Sequence, residues 1–163
     1  MLLFLKNALF TIVVPGTVAV IVPYRIGSGR ASAALTWGVR QYLAVVFFAA
    51  GGAIYFRCVW DFARTGRGTP APIDAPKVLV VRGVYRYVRN PIYIGVLLIV
   101  LGWAVYFGDF GVVVYGAFLA LAFHAFVTLV EEPSLQRQFG ESYERYCRSV
   151  RRWVPGRPYT TEA

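Results

Sequence analysis

Apolar residues in this chain fall into four long runs, and the charges are crowded into the stretches between them. A helix needs roughly 20 such residues, at 1.5 Å each, to cross a bilayer. The runs are about Ala8–Tyr24, Tyr42–Trp60, Ile92–Phe107 and Phe110–Val130. The third is short, and "FGDFG" (Phe107–Gly111) barely separates it from the fourth. That spacing predicts a tight helical hairpin, turned by the glycines and Asp109. Pro15 in the first run and Gly51-Gly52 in the second would be costly in a soluble helix, whereas in a membrane they permit kinks and close packing. Past Glu132 the pattern changes. "SLQRQFGESYERYCRSVRRWVP" alternates bulky apolar residues with charges at helical spacing, broken at Gly140. It predicts an amphipathic helix over about 134–150, lying at the membrane surface.

The expected architecture is an all-α integral membrane protein: one domain over 1–163, about four transmembrane helices and an interfacial tail helix. The proline- and glycine-rich "RTGRGTPAPIDAPK" (Arg64–Lys77) reads as a loop within that domain. Lys6 ahead of an apolar stretch resembles a signal peptide, but the run is too long and lacks a small-residue cleavage site, so a retained span is expected.

Composition strengthens this picture. Of 163 residues 58% are hydrophobic and 15% charged, and a mean hydropathy of +0.56 is too high for an ordinary soluble domain. Seventeen Lys+Arg against eight Asp+Glu give a net charge of +9. In a soluble protein that would point to nucleic acid; between apolar runs it fits anionic headgroups and the setting of topology, so no nucleic-acid partner is expected. Cys58 and Cys147 lack the spacing of a zinc site or a disulfide framework, and no metal is expected. The arginines of 61–91 and of the tail place both segments, and both termini, on the cytoplasmic side. The turn at 107–111, with one acid and no base, goes outside. The loop carrying Arg25, Arg30 and Arg40 goes outside too, against its charge.

The hairpin then brings distant residues together. Its entrance, Arg89-Asn90-Pro91, and its exit, Glu131-Glu132-Pro133, meet on the cytoplasmic face. Pro91 suits the first helical position, and Pro133 disfavours helix at Glu132, so the fourth span is expected to end there. His124, Thr128 and Glu131 share a helix face at i, i+4, i+7, which should look into the bundle or a wet cavity. His124 reads equally as a structural hydrogen-bonding group. Glu131 and Glu132 read as ion-pair partners of nearby arginines, or as the cation-holding half of a site whose anion-holding half is arginines and the third span's N-terminus. Such a site suits a zwitterion.

"LVVRGVYRYVRNPIYIG" followed one hairpin later by "EEPSLQRQFGESYERYCRSVRRWVP" resembles the isoprenylcysteine carboxyl methyltransferase and phospholipid methyltransferase superfamily, over roughly Lys77–Pro155. The resemblance implies a helical membrane bundle that binds S-adenosylmethionine at its cytoplasmic end and receives a lipidic or small hydrophobic acceptor, carboxylate or amine. It puts the Gly-x-Tyr element on Gly83 and Tyr85, and the Arg-His-Pro-x-Tyr element on Arg89, Asn90, Pro91, Ile92 and Tyr93. Tyr85, Arg89 to Tyr93 and Glu131 would then contact the cofactor, Leu79 and Val80 would line its pocket, and Tyr143 and Tyr146 would close over it. Glu132 and His124 are the candidate proton acceptors for an amine. Asn90 stands where the family most often has His; it keeps the hydrogen bonds but cannot act as a base near neutral pH. Val127 and Thr128 stand where the eukaryotic prenylcysteine enzymes carry a basic residue, so the acceptor and the methylated atom stay open. Two other readings stand beside this one. Membrane sterol reductases carry a similar Arg-His-Pro-x-Tyr signature and bind NADPH, and a non-enzymatic membrane protein could use the arginines for topology alone.

Overall fold

The computed structural model describes residues 15–29, 37–65 and 79–160. Among them the fold is all helical, without strands, and a single parallel bridge joins Val88 to Arg151. Residues 8–14 of the first run and 66–77 of the loop lie outside the described residues. A π turn, Thr17–Ile21, leads into α1, Val22–Ser28; α2 is Val39–Thr65, α3 Pro91–Phe107 and α4 Phe110–Phe126. A second π turn, Val127–Glu131, continues α4 into α5, Glu132–Phe139, and α6, Glu141–Ser149, closes the helical part.

Among the described residues two helical segments are long and apolar enough to cross a membrane, Val39–Asp61 and Phe110–Phe139; α3 is apolar but shorter. Their large apolar side chains point outward: Phe118, Leu121 and Leu129 are 69%, 70% and 75% exposed. A soluble protein would bury such a face, whereas lipid solvates it.

What packs α2 onto α3 is the absence of side chains. A Cβ on Gly51 would collide with the carbonyl of Gly95, and one on Gly95 with the carbonyl of Gly51. Each backbone thus rests on the other, the close approach that glycine permits between membrane helices. Gly102 similarly receives the ring of Phe48. The α3–α4 turn is as the glycines and Asp109 predict. Gly108 takes φ 62 and donates to Ala104 O at 2.9 Å, and Asp109 caps α4 by accepting from Val112 N at 3.1 Å. The arms run antiparallel, since Gly116 meets Val100 midway and Tyr93 meets Phe123 at the far end.

Both π turns end two residues before a proline, Ile21 before Pro23 and Glu131 before Pro133. A helical proline offers no N–H to the carbonyl four residues back and clashes with it, and widening the preceding turn relieves the clash. This corrects the expected helix end. Glu131 and Glu132 are both helical (φ −71, ψ −54; φ −61, ψ −44), and the helix runs on to Phe139. The break falls instead at Gly140, where φ 53 suits glycine.

The tail helices use their apolar residues internally. Tyr143, Tyr146 and Val150 are buried together, packed by Leu79, Val81, Leu135, Phe139, Cys147 and Tyr159. The amphipathic pattern read as a membrane-facing stripe is therefore spent on the chain itself.

Candidate functional site

At the open end of the α3–α4 hairpin, the segment before α3 and the tail after α6 are zipped together. Arg89 N donates to Arg151 O (3.0 Å), Gly156 N to Tyr87 O (2.9 Å) and Tyr159 N to Arg86 O (2.8 Å). Side chains add to the seam: the buried Asn90 donates its amide to Arg152 O (3.2 Å), Tyr146 OH to Tyr85 O (2.7 Å) and Arg86 Nε to Tyr159 O (3.0 Å). Asn90 thus holds the tail in place just before Pro91, the first residue of α3.

Tyr85 reaches this end on a short 3₁₀ turn, Gly83–Arg86. Gly83 takes φ 55, and any Cβ there would occupy the position of the Asp61 carboxylate on α2. Only glycine lets the turn settle onto Asp61, which is buried and paired with Arg57 at 3.3 Å. Burial, with Cys58 and Glu131 nearby, pushes the Tyr85 phenol well above its ordinary value, so it stays protonated.

The two adjacent glutamates have opposite surroundings. Glu132 is clasped by arginines: Arg152 binds it bidentately (Nε–Oε1 2.8 Å, Nη2–Oε2 2.7 Å), and Arg89 Nη1 lies 3.1 Å from Oε1. Glu131 has no ion pair among the described residues. It accepts one hydrogen bond, from Tyr93 OH at 2.8 Å, and is half-buried. Adjacent helical positions point in different directions, so Glu132 meets the tail arginine while Glu131 meets Tyr93. Arg89 also donates to Cys147 Sγ, while its Nε is buried with no partner among the described residues.

Rings wall the Glu131 side. Tyr93 packs on Phe123 (centroids 4.7 Å apart) and meets Trp153 edge-on (6.4 Å). Trp153 Nε1 donates to His124 Nδ1 at 3.1 Å, and Thr128 turns its hydroxyl back to His124 O at 2.8 Å. His124 is exposed, so its ring tethers the tail to the rim of α4 and does not point into the bundle.

Of the residues expected at the site, Arg89, Asn90, Pro91, Tyr93, Glu131 and Glu132 converge at this end, and Tyr85 joins them through Tyr146. Ile92 packs on the bundle core. Val80 is buried, and Leu79 sits with Tyr143 and Tyr146 in the tail cluster. Sequence reading passed over Arg152, Trp153 and Asp61 as members of the site. "RRWVP" held a signal for the first two, an arginine pair and a tryptophan directly after an amphipathic helix, but nothing local says that they fold back onto α3.

Among the described residues the chain is all helical, with two segments long and apolar enough to cross a membrane and a polar mouth where its hairpin opens, the features of a helical membrane protein. Residues 39–142, more than half of the chain, match the phospholipid methyltransferase family, and the chain belongs to it. It is also similar to the protein-S-isoprenylcysteine O-methyltransferase of Schizosaccharomyces pombe, 33% identical over 78 residues, which are 48% of this chain and 33% of that enzyme. The chain thus spans a third of that relative's length. An uncharacterized Haemophilus influenzae protein is 35% identical over 66 residues, 38% of this chain and 98% of that protein. No solved structure matches.

Proposed function

We propose that this chain is an S-adenosylmethionine-dependent methyltransferase acting on a lipidic or small hydrophobic acceptor, carboxylate or amine, at the cytoplasmic face of a membrane. Family membership and the likeness to a curated O-methyltransferase support methyl transfer as the reaction class. The observation that carries the cofactor is the imbalance at the mouth. Glu131 is a half-buried carboxylate with no cation among the described residues, and Arg89, also half-buried, has a buried Nε with no partner among them. Groups left in that state at a membrane boundary cost free energy unless a ligand of the opposite charges meets them.

S-adenosylmethionine fits that donor and acceptor set. Arg89, with the free N–H groups at the start of α3, would hold its carboxylate. Glu131, oriented by Tyr93, would take the cationic or hydroxyl-bearing part. Tyr85, Asn90, Pro91, Ile92, Leu79 and Val80 would wall the pocket, with Tyr143 and Tyr146 closing it under the tail. When bound, the cofactor supplies an activated methyl group on a sulfonium sulfur. The protein's share is to align the acceptor with that methyl and to keep water out, and positioning supplies much of the rate.

Proton removal is the harder part. Glu132 carries two guanidinium groups, which makes it a poor acceptor, and its role here is to fix Arg89 and Arg152. His124 Nδ1 already accepts from Trp153, so it would have to release the tail before taking a proton. A carboxylate acceptor needs neither. In this reading four spans cross the bilayer as one domain, the termini and the mouth face the cytoplasm, and the exposed tail arginines meet lipid headgroups.

The test is the thermal midpoint of the detergent-purified chain with S-adenosylhomocysteine or with NADPH, followed by methyl transfer from labelled S-adenosylmethionine into a membrane lipid extract. A ligand at 100 times its Kd adds about 2.7 kcal/mol. A shift with S-adenosylhomocysteine and label in the lipid fraction are expected. A shift with NADPH alone would overturn the reading in favour of a reductase.

A further inference from the structure

Besides packing on α3, α2 reaches the mouth with its last turns. Cys58 and Asp61, three residues apart, share one face of that helix, and both are buried. The Gly83–Arg86 turn settles on that face. Gly83, its first residue, stands with its open side against the Asp61 carboxylate, and two residues further on the Tyr85 hydroxyl is hydrogen-bonded to the Cys58 thiol. No side chain caps the turn from Arg82. The first N–H groups of a helical turn have no carbonyl within it to meet, and a carboxylate is the group such an end favours.

A carboxylate is costly to bury. The ion pair with Arg57 offsets little of that cost, because the Arg57 side chain is 57% exposed and a pair so open to water is weak. Asp61 is therefore better explained by the turn that rests on it. What the turn carries is Tyr85, whose phenol lies near Glu131 on the second π turn, Tyr93 on α3 and Tyr146 on α6. Tyr85 is thus the point at which α2 meets the proposed pocket. We propose that Asp61 is a positioning residue, holding the Gly83–Arg86 turn so that the Tyr85 ring stands against the cofactor, with Cys58 fixing the far end of the same side chain. The proposal rests on the methyltransferase reading and deepens it by giving α2 a part in the site. Asp61 touches no ligand in this arrangement, and its effect on binding passes through Tyr85.

The experiment is a double-mutant cycle read by calorimetric binding of S-adenosylhomocysteine to the full-length chain in detergent. It compares wild type, Asp61→Ala, Tyr85→Leu and the double variant, with the thermal midpoint of each taken without ligand. Asp61→Ala is expected to weaken binding about tenfold when Tyr85 is present, and less than about twofold once Tyr85→Leu has removed the ring that it positions. Asp61→Asn, which keeps the shape and an acceptor oxygen, falls between at about threefold, and takes alanine's place in the cycle if that variant does not fold. Equal losses in the two backgrounds would make Asp61 a structural strut and overturn the role, as would wild-type affinity in both Asp61 variants. Wild-type protein that binds no S-adenosylhomocysteine would instead overturn the methyltransferase reading, and this role with it.

Discussion

The two ends of the α3–α4 hairpin are built on different principles. At the turn, the bonds that shape the backbone are local: Gly108 closes onto Ala104 and Asp109 onto Val112, with rings of Tyr24, Phe48, Trp103 and Phe107 packed around them. At the mouth, bonds reach across the chain. Tyr93 and Glu131 are 38 residues apart, Arg152 and Glu132 20, Asn90 and Arg152 62, and Arg86 and Tyr159 73. The turn takes a bond from outside, Gln41 Nε2 donating to Tyr106 O at 3.4 Å, and its local bonds reverse the chain. The mouth gathers charge from three segments and leaves part of it unmatched. Such an imbalance is costly to keep, and it is where the proposed ligand would bind.

Within the mouth the same contrast recurs between neighbours, and it can be broken experimentally. Glu132 is the structural partner. Removing its charge by Glu132→Ala would strand two guanidinium groups, at a cost below the 3–5 kcal/mol of a fully buried pair because Arg152 is partly exposed; on the order of 2 kcal/mol is expected. Thermal unfolding in detergent would read that loss as a lower midpoint before any ligand is added. A midpoint unchanged from wild type would mean the clasp holds nothing together.

The seam gives a smaller and more diagnostic effect. Tyr146→Phe deletes the bond to Tyr85 O, worth about 1 kcal/mol. Burial raises the Tyr146 phenol above its ordinary value of 10.0. The folded chain therefore keeps a proton that the unfolded chain releases, so this contribution is complete below pH 10 and is lost as the pH rises beyond it. Stability measured across the alkaline range should fall less steeply in Tyr146→Phe than in wild type. Parallel curves would show that the phenol is not desolvated in the folded protein.

How much of this was legible in the sequence follows the same division. The hairpin turn, Pro91 at the start of α3 and the convergence of Arg89 with the glutamates could be read, because each depends on local chemistry or on one topological step. Helix termination at Pro133 could not. A proline two residues after a π turn is accommodated, and nothing in the residue string distinguishes widening from ending. The tail was half legible. Its periodicity gave the helices and Gly140 their break, but the apolar stripe names no partner, and bilayer and protein look alike to it. Trp153 and Arg152 were hidden for the same reason, since their place depends on a seam between segments some 60 residues apart. Glu131 and Glu132 appear in sequence as equals, and only the tail, which folds Arg152 back onto Glu132, separates their roles.

The measurement that tests the account most directly is S-adenosylhomocysteine binding to wild type and Glu131→Gln, with the thermal midpoint of each protein taken without ligand. The account predicts equal midpoints and an affinity about 10- to 100-fold weaker in the variant, the usual worth of a hydrogen bond to a charged group. Unchanged affinity would contradict it, because the unpaired carboxylate at the mouth would then have no part in holding the ligand.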